Sequence, residues 1–176
     1  AAPTGGSLAS ALGNSLGSAA SGAPATKLAY SDRESQEQML ELSLWIVDKI
    51  QASAGSQTQL TRNADSERMI QERFATFLRQ SNTPLDQDQT KQLYQMVLDE
   101  MFGFGPLEQL IREDSISEIM VNAKDVVYVE QGGRITLSAV RFVSDDHVLK
   151  VIDRIIRPLG RRVDRKWPMV DARLPD

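Results

Sequence analysis

The chain has 176 residues, 41% apolar and 25% charged, with a formal net charge of −4. That length gives one ordinary domain or two small ones with a compact core, and the charge balance excludes a chain that coats nucleic acid or membrane along its whole length. No cysteine occurs, which excludes a disulfide framework, a thiolate zinc site and a cysteine nucleophile and fits a reducing compartment; no apolar run approaches the roughly 18 residues of a membrane span.

The start, Ala1-Ala2-Pro3, has neither an initiator Met nor the basic-then-apolar order of a secretory signal, and reads as a trimmed end. Leu174-Pro175-Asp176 reads as a cut inside a longer chain. Residues 1–26 carry no charge and are dominated by Ala, Gly, Ser and Thr, which bury too little area to offset ordering entropy; a flexible leader is expected over 1–29. Leu8, Leu12 and Leu16 recur every four residues and leave open a short helix that docks on a partner, against which Gly13 and Gly17 count.

From about Ser31 the pattern becomes amphipathic and predicts three helices within 30–101. Leu40, Leu44 and Val47 line the first stripe, widened by Met39, Ile46 and Ile50, with an end near Ala54-Gly55. Ser66 to Arg79 places Ile70, Phe74, Phe77 and Leu78 at helical spacing. Thr83-Pro84 then breaks the chain, and Asp86 with Gln89 three positions on forms a capping box for a third helix carrying Leu93, Val97 and Met101. Each stripe can be buried only against the other two, so the expectation is an antiparallel three-helix bundle.

Beyond Phe102-Gly103-Phe104-Gly105-Pro106, over 102–176, the periodicity changes to that of a small α/β unit. A short helix through Leu107 to Arg112 precedes Ile119, Val121 and a strand from Val126 to Glu130. Gln131-Gly132-Gly133-Arg134 is hairpin-turn chemistry, because both glycines accept positive φ. Ile135, Leu137 and Ala139 alternate with Thr136, Ser138 and Val140, as in a return strand with one buried face. Ser144 caps a helix with Asp145 and Asp146 in its first turn and a stripe of Val148, Val151, Ile152, Ile155, Ile156 and Leu159, ending at Gly160. The whole reads as α+β.

No Gly-x-x-x-x-Gly-Lys-Ser/Thr loop occurs, so this stretch cannot by itself cradle a triphosphate. Gly103-Phe104-Gly105 lacks the third glycine of a dinucleotide fingerprint and reads as an interdomain turn. His147 is the only histidine, so no histidine-based metal cluster or triad can be assembled, and it reads as a solvated first-turn residue. Asp145-Asp146 and Asp99-Glu100 read as helix-end charges rather than as an acid–base pair. What rises above background is a basic cluster: Arg154, Arg157, Arg161, Arg162, Arg165, Lys166 and Arg173, facing only Asp164 and Asp171 between positions 154 and 173. Guanidinium groups hold phosphate oxygens bidentately, so the cluster suits a nucleotide tail or a nucleic-acid backbone. The competing account puts Arg154 and Arg157 on the outer face of the helix and pairs the rest with acids of a neighbouring subunit.

Phe102-Gly103-Phe104-Gly105-Pro106-Leu107-Glu108, Ile116-Ser117-Glu118-Ile119-Met120-Val121-Asn122 and Val127-Tyr128-Val129-Glu130 resemble, in that order, the N-terminal domain of type II/type IV secretion ATPases. Gly160-Arg161-Arg162-Val163-Asp164 and Trp167-Pro168-Met169-Val170-Asp171-Ala172-Arg173-Leu174-Pro175-Asp176 are similar to the segment before the core in the CpaF-type, tight-adherence (Flp pilus) branch. The resemblance covers roughly 86–176. It implies a PAS-like α/β domain ahead of an ATPase core, in a cytoplasmic homohexamer at the inner face of the membrane, associated with it only peripherally. Such a motor uses ATP and magnesium, works on inner-membrane pilus platform proteins, and needs no nucleic acid. Arg161, Arg162 and Arg173 lie in the matching blocks and are the implied phosphate or intersubunit contacts. The phosphate loop, acidic boxes and histidine motif of that family all fall beyond Asp176, so no catalytic residue, metal ligand or tightly bound cofactor is expected in this stretch.

Two other readings stand beside the motor. One is a nucleic-acid-binding module, motivated by the same basic cluster but without interleaved aromatics apart from Trp167. The other is an interaction module in which the helical bundle docks on a membrane platform or regulator.

Overall fold

The structure, a computed structural model, describes residues 33–54 and 61–160. Within them the chain is α+β, with five α-helices and a three-stranded antiparallel sheet.

Three longer helices come first: α1 (Arg33–Ala54), α2 (Ala64–Ser81) and α3 (Gln87–Phe102). Their starts follow from side-chain chemistry. Asp86 accepts from the backbone N–H of Gln89 at 2.8 Å while the Gln89 side chain accepts from Asp86 N–H at 3.0 Å, the reciprocal box expected from sequence. Asn63 and Ser66 do the same for α2, at 2.8 and 3.0 Å; that cap was not foreseen. Asn82 ends α2 in the left-handed region at φ 52°, a conformation Asn tolerates better than most residues. The stripes then meet in one core, where Ile46, Ile50, Ile70, Leu93 and Val97 are fully buried and Phe74 packs edge-on to Tyr94. Leu44, Phe77, Leu78 and Met101 are only half-buried, and Ser43 lies fully inside because its hydroxyl donates to the Leu40 carbonyl at 2.7 Å.

The second core is built on a meander. A 3-10 turn (Gly105–Leu107) and the short α4 (Glu108–Ile111) lead into β1 (Ile116–Ala123), β2 (Val126–Gln131) and β3 (Arg134–Leu137), in sheet order β1-β2-β3. Gly132 and Gly133 make the β2–β3 turn at φ 58° and 75°, as their chemistry requires. The register sets Ile119 against Val129 and Val121 against Val127, so this face is the buried one. Helix α5 (Asp145–Ile156), capped by Ser144, contributes Val151 to the same core, joined by Leu107, Leu110, Val140 and Phe142.

One expectation fails here. The return strand ends at Leu137, and Ile135 and Leu137 are 62% and 56% exposed instead of buried. Their partners in the ladder are Glu130 and Tyr128, which lie on the opposite face from Val127 and Val129. Thr136, which pairs with Val129 on the other face, is exposed as well, so β3 is an edge strand with no buried residue. Alternation alone does not tell a strand with one buried face from an edge strand with none.

The caps give a direct stability test. Asp86→Ala should cost about 1 kcal/mol, read as a lower urea midpoint with an unchanged slope. Glu72→Ala, on the exposed side of α2, should stay within about 0.5 kcal/mol.

Candidate functional site

The last turn of α3 and the first turn of α5 converge on a buried polar contact. Leu93, Val97 and Glu100 follow one another at helical spacing, so the face that carries Leu93 and Val97 into the interior carries Glu100 with them. His147 stands four residues before Val151 on the buried face of α5. Glu100 Oε1 and His147 Nε2 are 2.9 Å apart, across 47 positions of sequence, with the two residues only 4% and 5% exposed. Against a carboxylate oxygen that only accepts, the contact is an Nε2–H donating to Oε1. Nδ1 is buried and has no hydrogen-bonding partner among the described residues, and the Phe142 ring meets the imidazole edge-on at 5.2 Å.

This overturns two readings of the sequence. His147 is not a solvated first-turn residue, although Asp145 and Asp146 beside it are exposed as expected. Asp99 and Glu100 are not free helix-end charges either. Asp99 takes both guanidinium nitrogens of Arg112, one at 3.1 Å, and Glu108 lies 3.3 Å from the same group. The Asp99 hydrogen bond is the main reason the Arg112 guanidinium is held above its ordinary range, with burial opposing it and the charges of Asp99 and Glu108 adding to it.

The Gly103-Phe104-Gly105 turn is locked into the same cluster. Gly105 has φ 58°, and a Cβ there would sit 2.5 Å from Glu100 Oε1, so both its backbone and the buried carboxylate demand glycine. Glu108 Oε1 accepts from Phe104 N–H at 2.9 Å and fills the space beside Gly103 that a Cβ would need. Arg154 reaches from α5 to donate to the Gly103 carbonyl. It therefore holds the turn and does not simply decorate the outer face of its helix, whereas Arg157 is exposed and pairs with Asp153. An open cleft of about 300 Å³ adjoins this cluster, between Leu40 of α1, Met96 of α3 and the 139–143 segment.

Arg161, Arg162 and Arg173, the residues assigned to phosphate or intersubunit contact, lie outside the described residues, as do Arg165 and Lys166. The structure thus brings together Glu100, His147, Arg112 and Arg154, of which only Arg154 was singled out for binding from sequence. The signal for the buried pair was present in the spacing of Glu100 from Val97 and of His147 from Val151. Among the described residues no group of three or more His, Asp or Glu side chains is placed to hold a metal ion, and no helix is long and apolar enough to cross a membrane.

Residues 100–176 match the family described as Type II/IV secretion system protein. The likeness to that family is confined to this segment. The secretion-family segment opens at Glu100, so both partners of the buried pair lie within it, and it takes in the end of α3. Two Mycobacterium tuberculosis proteins, of strains CDC 1551 / Oshkosh and ATCC 25618 / H37Rv, carry conjugal transfer in their names and are each 35% identical over 75 residues. The match covers 43% of this chain and 21% of each relative, so the chain spans about a fifth of the length of the curated relatives it matches.

The pair can be tested by a double-mutant cycle. Glu100→Ala and His147→Ala should each destabilise by about 3 kcal/mol, because each leaves a buried polar partner behind. The double variant should lose less than their sum, with a coupling of about 1–3 kcal/mol; additive losses in urea unfolding would remove the pair as an energetic unit.

Proposed function

We propose that this chain is the N-terminal regulatory and intersubunit region of a hexameric secretion ATPase that powers assembly of a tight-adherence, type IV-like pilus. The observation that carries the reading is the secretion-family match over 100–176; within that stretch the Gly160–Asp164 and Trp167–Asp176 blocks resemble the CpaF-type branch. The transfer machinery named in the mycobacterial relatives fits a role in moving macromolecules across an envelope. In this reading residues 1–29 are a leader, 30–101 an antiparallel three-helix bundle, and 102–176 a PAS-like unit ahead of the ATPase core. The complete protein binds ATP and magnesium, assembles as a homohexamer in the cytoplasm and meets inner-membrane platform proteins.

Arg161, Arg162 and Arg173 would contact nucleotide phosphate or a neighbouring subunit. An arginine on a mobile unit can report the γ-phosphate because its charge-assisted hydrogen bonds vanish when that group leaves, biasing one arrangement over another. Arg154 is not counted among these contacts, because its guanidinium is committed to the Gly103 carbonyl.

Arg173→Ala in the complete protein should lower ATP turnover about tenfold or more with an unchanged circular dichroism spectrum. Unchanged turnover removes Arg173 from the site. Calorimetric titration of the 176-residue chain with ATP and magnesium should give weak binding or none, and tight binding would contradict the assignment of the nucleotide site to a downstream core.

A further inference from the structure

The cleft beside the junction has an apolar floor and a nearly balanced rim. Leu40, Met96, Pro106, Val140 and Phe142 supply the floor. Of the rim charges, Asp99 is matched by Arg112 and Glu100 by His147, which leaves Glu37 and Asp125 against Lys124 and Arg141. Such a site favours an occupant with apolar side chains and little charge. The chain itself contains one. Residues 1–26 have no charged side chain, and Leu8, Leu12 and Leu16 recur at the spacing of a helical stripe.

Tethering favours this segment over any free partner. The leader enters α1 at Arg33, and Gln36, Glu37 and Leu40 in the first two turns of that helix already line the cleft. At a rise of about 1.5 Å per residue these lie roughly 5–10 Å along the helix from its start. The linker from Leu16 to Arg33, if behaving as a flexible coil, spans about 20–25 Å, so it reaches the cleft without being stretched. A tether of that length holds its end at an effective concentration in the millimolar range, where even a weak apolar contact is substantially occupied.

We propose that the cleft between α1, α3 and the 139–143 segment is an intramolecular docking site for the chain's own leader, with Leu8, Leu12 and Leu16 entering as one apolar stripe. The mode is that of a short amphipathic helix in a groove. Any partner that uses the same cleft has to displace the leader first, which makes the site self-occupied until a competitor arrives. The proposal rests on the cleft and the leader alone and stands or falls separately from the motor reading.

The absence of cysteine makes a direct test simple. A nitroxide on Asn14→Cys, in the otherwise intact 15N-labelled chain, should broaden the amide signals of Leu40, Met96 and Phe142 several-fold more than that of Arg79. The same label in a chain also carrying Leu8→Asp, Leu12→Asp and Leu16→Asp should lose most of that broadening, while the amides of Ile46 and Val127 keep their shifts and show that both cores are intact. Broadening that survives the three substitutions, or none in the parent, overturns the proposal. A sample mixing nitroxide-bearing 14N chain with unlabelled-thiol-free 15N chain separates the remaining occupant: broadening of the cleft only between chains would make a second copy the ligand and the intramolecular assignment wrong.

Discussion

A carboxylate and an imidazole, each almost wholly removed from water, meet at the point where the helical part of the chain joins the sheet. Glu100 leaves the end of α3 and His147 the start of α5. Neither group tolerates burial alone, since an isolated buried charge or hydrogen-bonding group costs several kcal/mol. Their contact therefore fixes where α5 begins relative to where α3 ends. The neighbouring choices follow from it. Gly105 must lack a Cβ because the carboxylate occupies that space, Phe142 walls off the imidazole, and Ser144 caps α5 so that its third residue is the histidine. A buried pair of this kind adds little net stability compared with apolar packing, but it penalises any arrangement in which the two groups part.

Around this contact the turn at 103–105 is held from several sides. Glu108 takes the Phe104 N–H, Arg154 the Gly103 carbonyl, and Arg112 ties α4 back to Asp99 on α3. A two-glycine turn is the expected place for a hinge, yet here its backbone groups are engaged by side chains from both following helices. The secretion-family segment starts within α3 at Glu100, not after the turn. Helix α3 is thus a structural member of both cores: Leu93 and Val97 serve the first, and Glu100 anchors the second.

Much of this was legible in the residues. The helices and the β2–β3 hairpin followed from periodicity and punctuation, although β1 was read only as Ile119 and Val121, and the Asp86–Gln89 box, the Gly132-Gly133 turn and the Ser144 cap were each readable because a local backbone need selects one residue type. What failed was non-local. The face of β3 depends on ladder register, which places Ile135 opposite Glu130 and outside the core. The Asn63–Ser66 cap uses Ser where Glu or Gln is the usual signal. Glu100 and His147 looked like ordinary helix-end polar residues because each one's justification lies 47 positions away. Their helical phase was the available clue, and it conflicted with their polarity. Such conflicts between pattern and chemistry mark positions where tertiary pairing decides.

The basic cluster divides for the same reason. Counted along the sequence it is one run from Arg154 to Arg173, suited as a whole to a polyanion. In space its first member is a structural clamp on a backbone carbonyl, and Arg157 forms an exposed intrahelical pair with Asp153 that is worth little to stability. Replacing Arg154 would loosen the turn at Gly103 irrespective of any ligand, so a loss of function there would say nothing about phosphate. Arg157 is free to reorient at small cost. The distinction between holding the fold and meeting an anion is thus set by what each guanidinium touches.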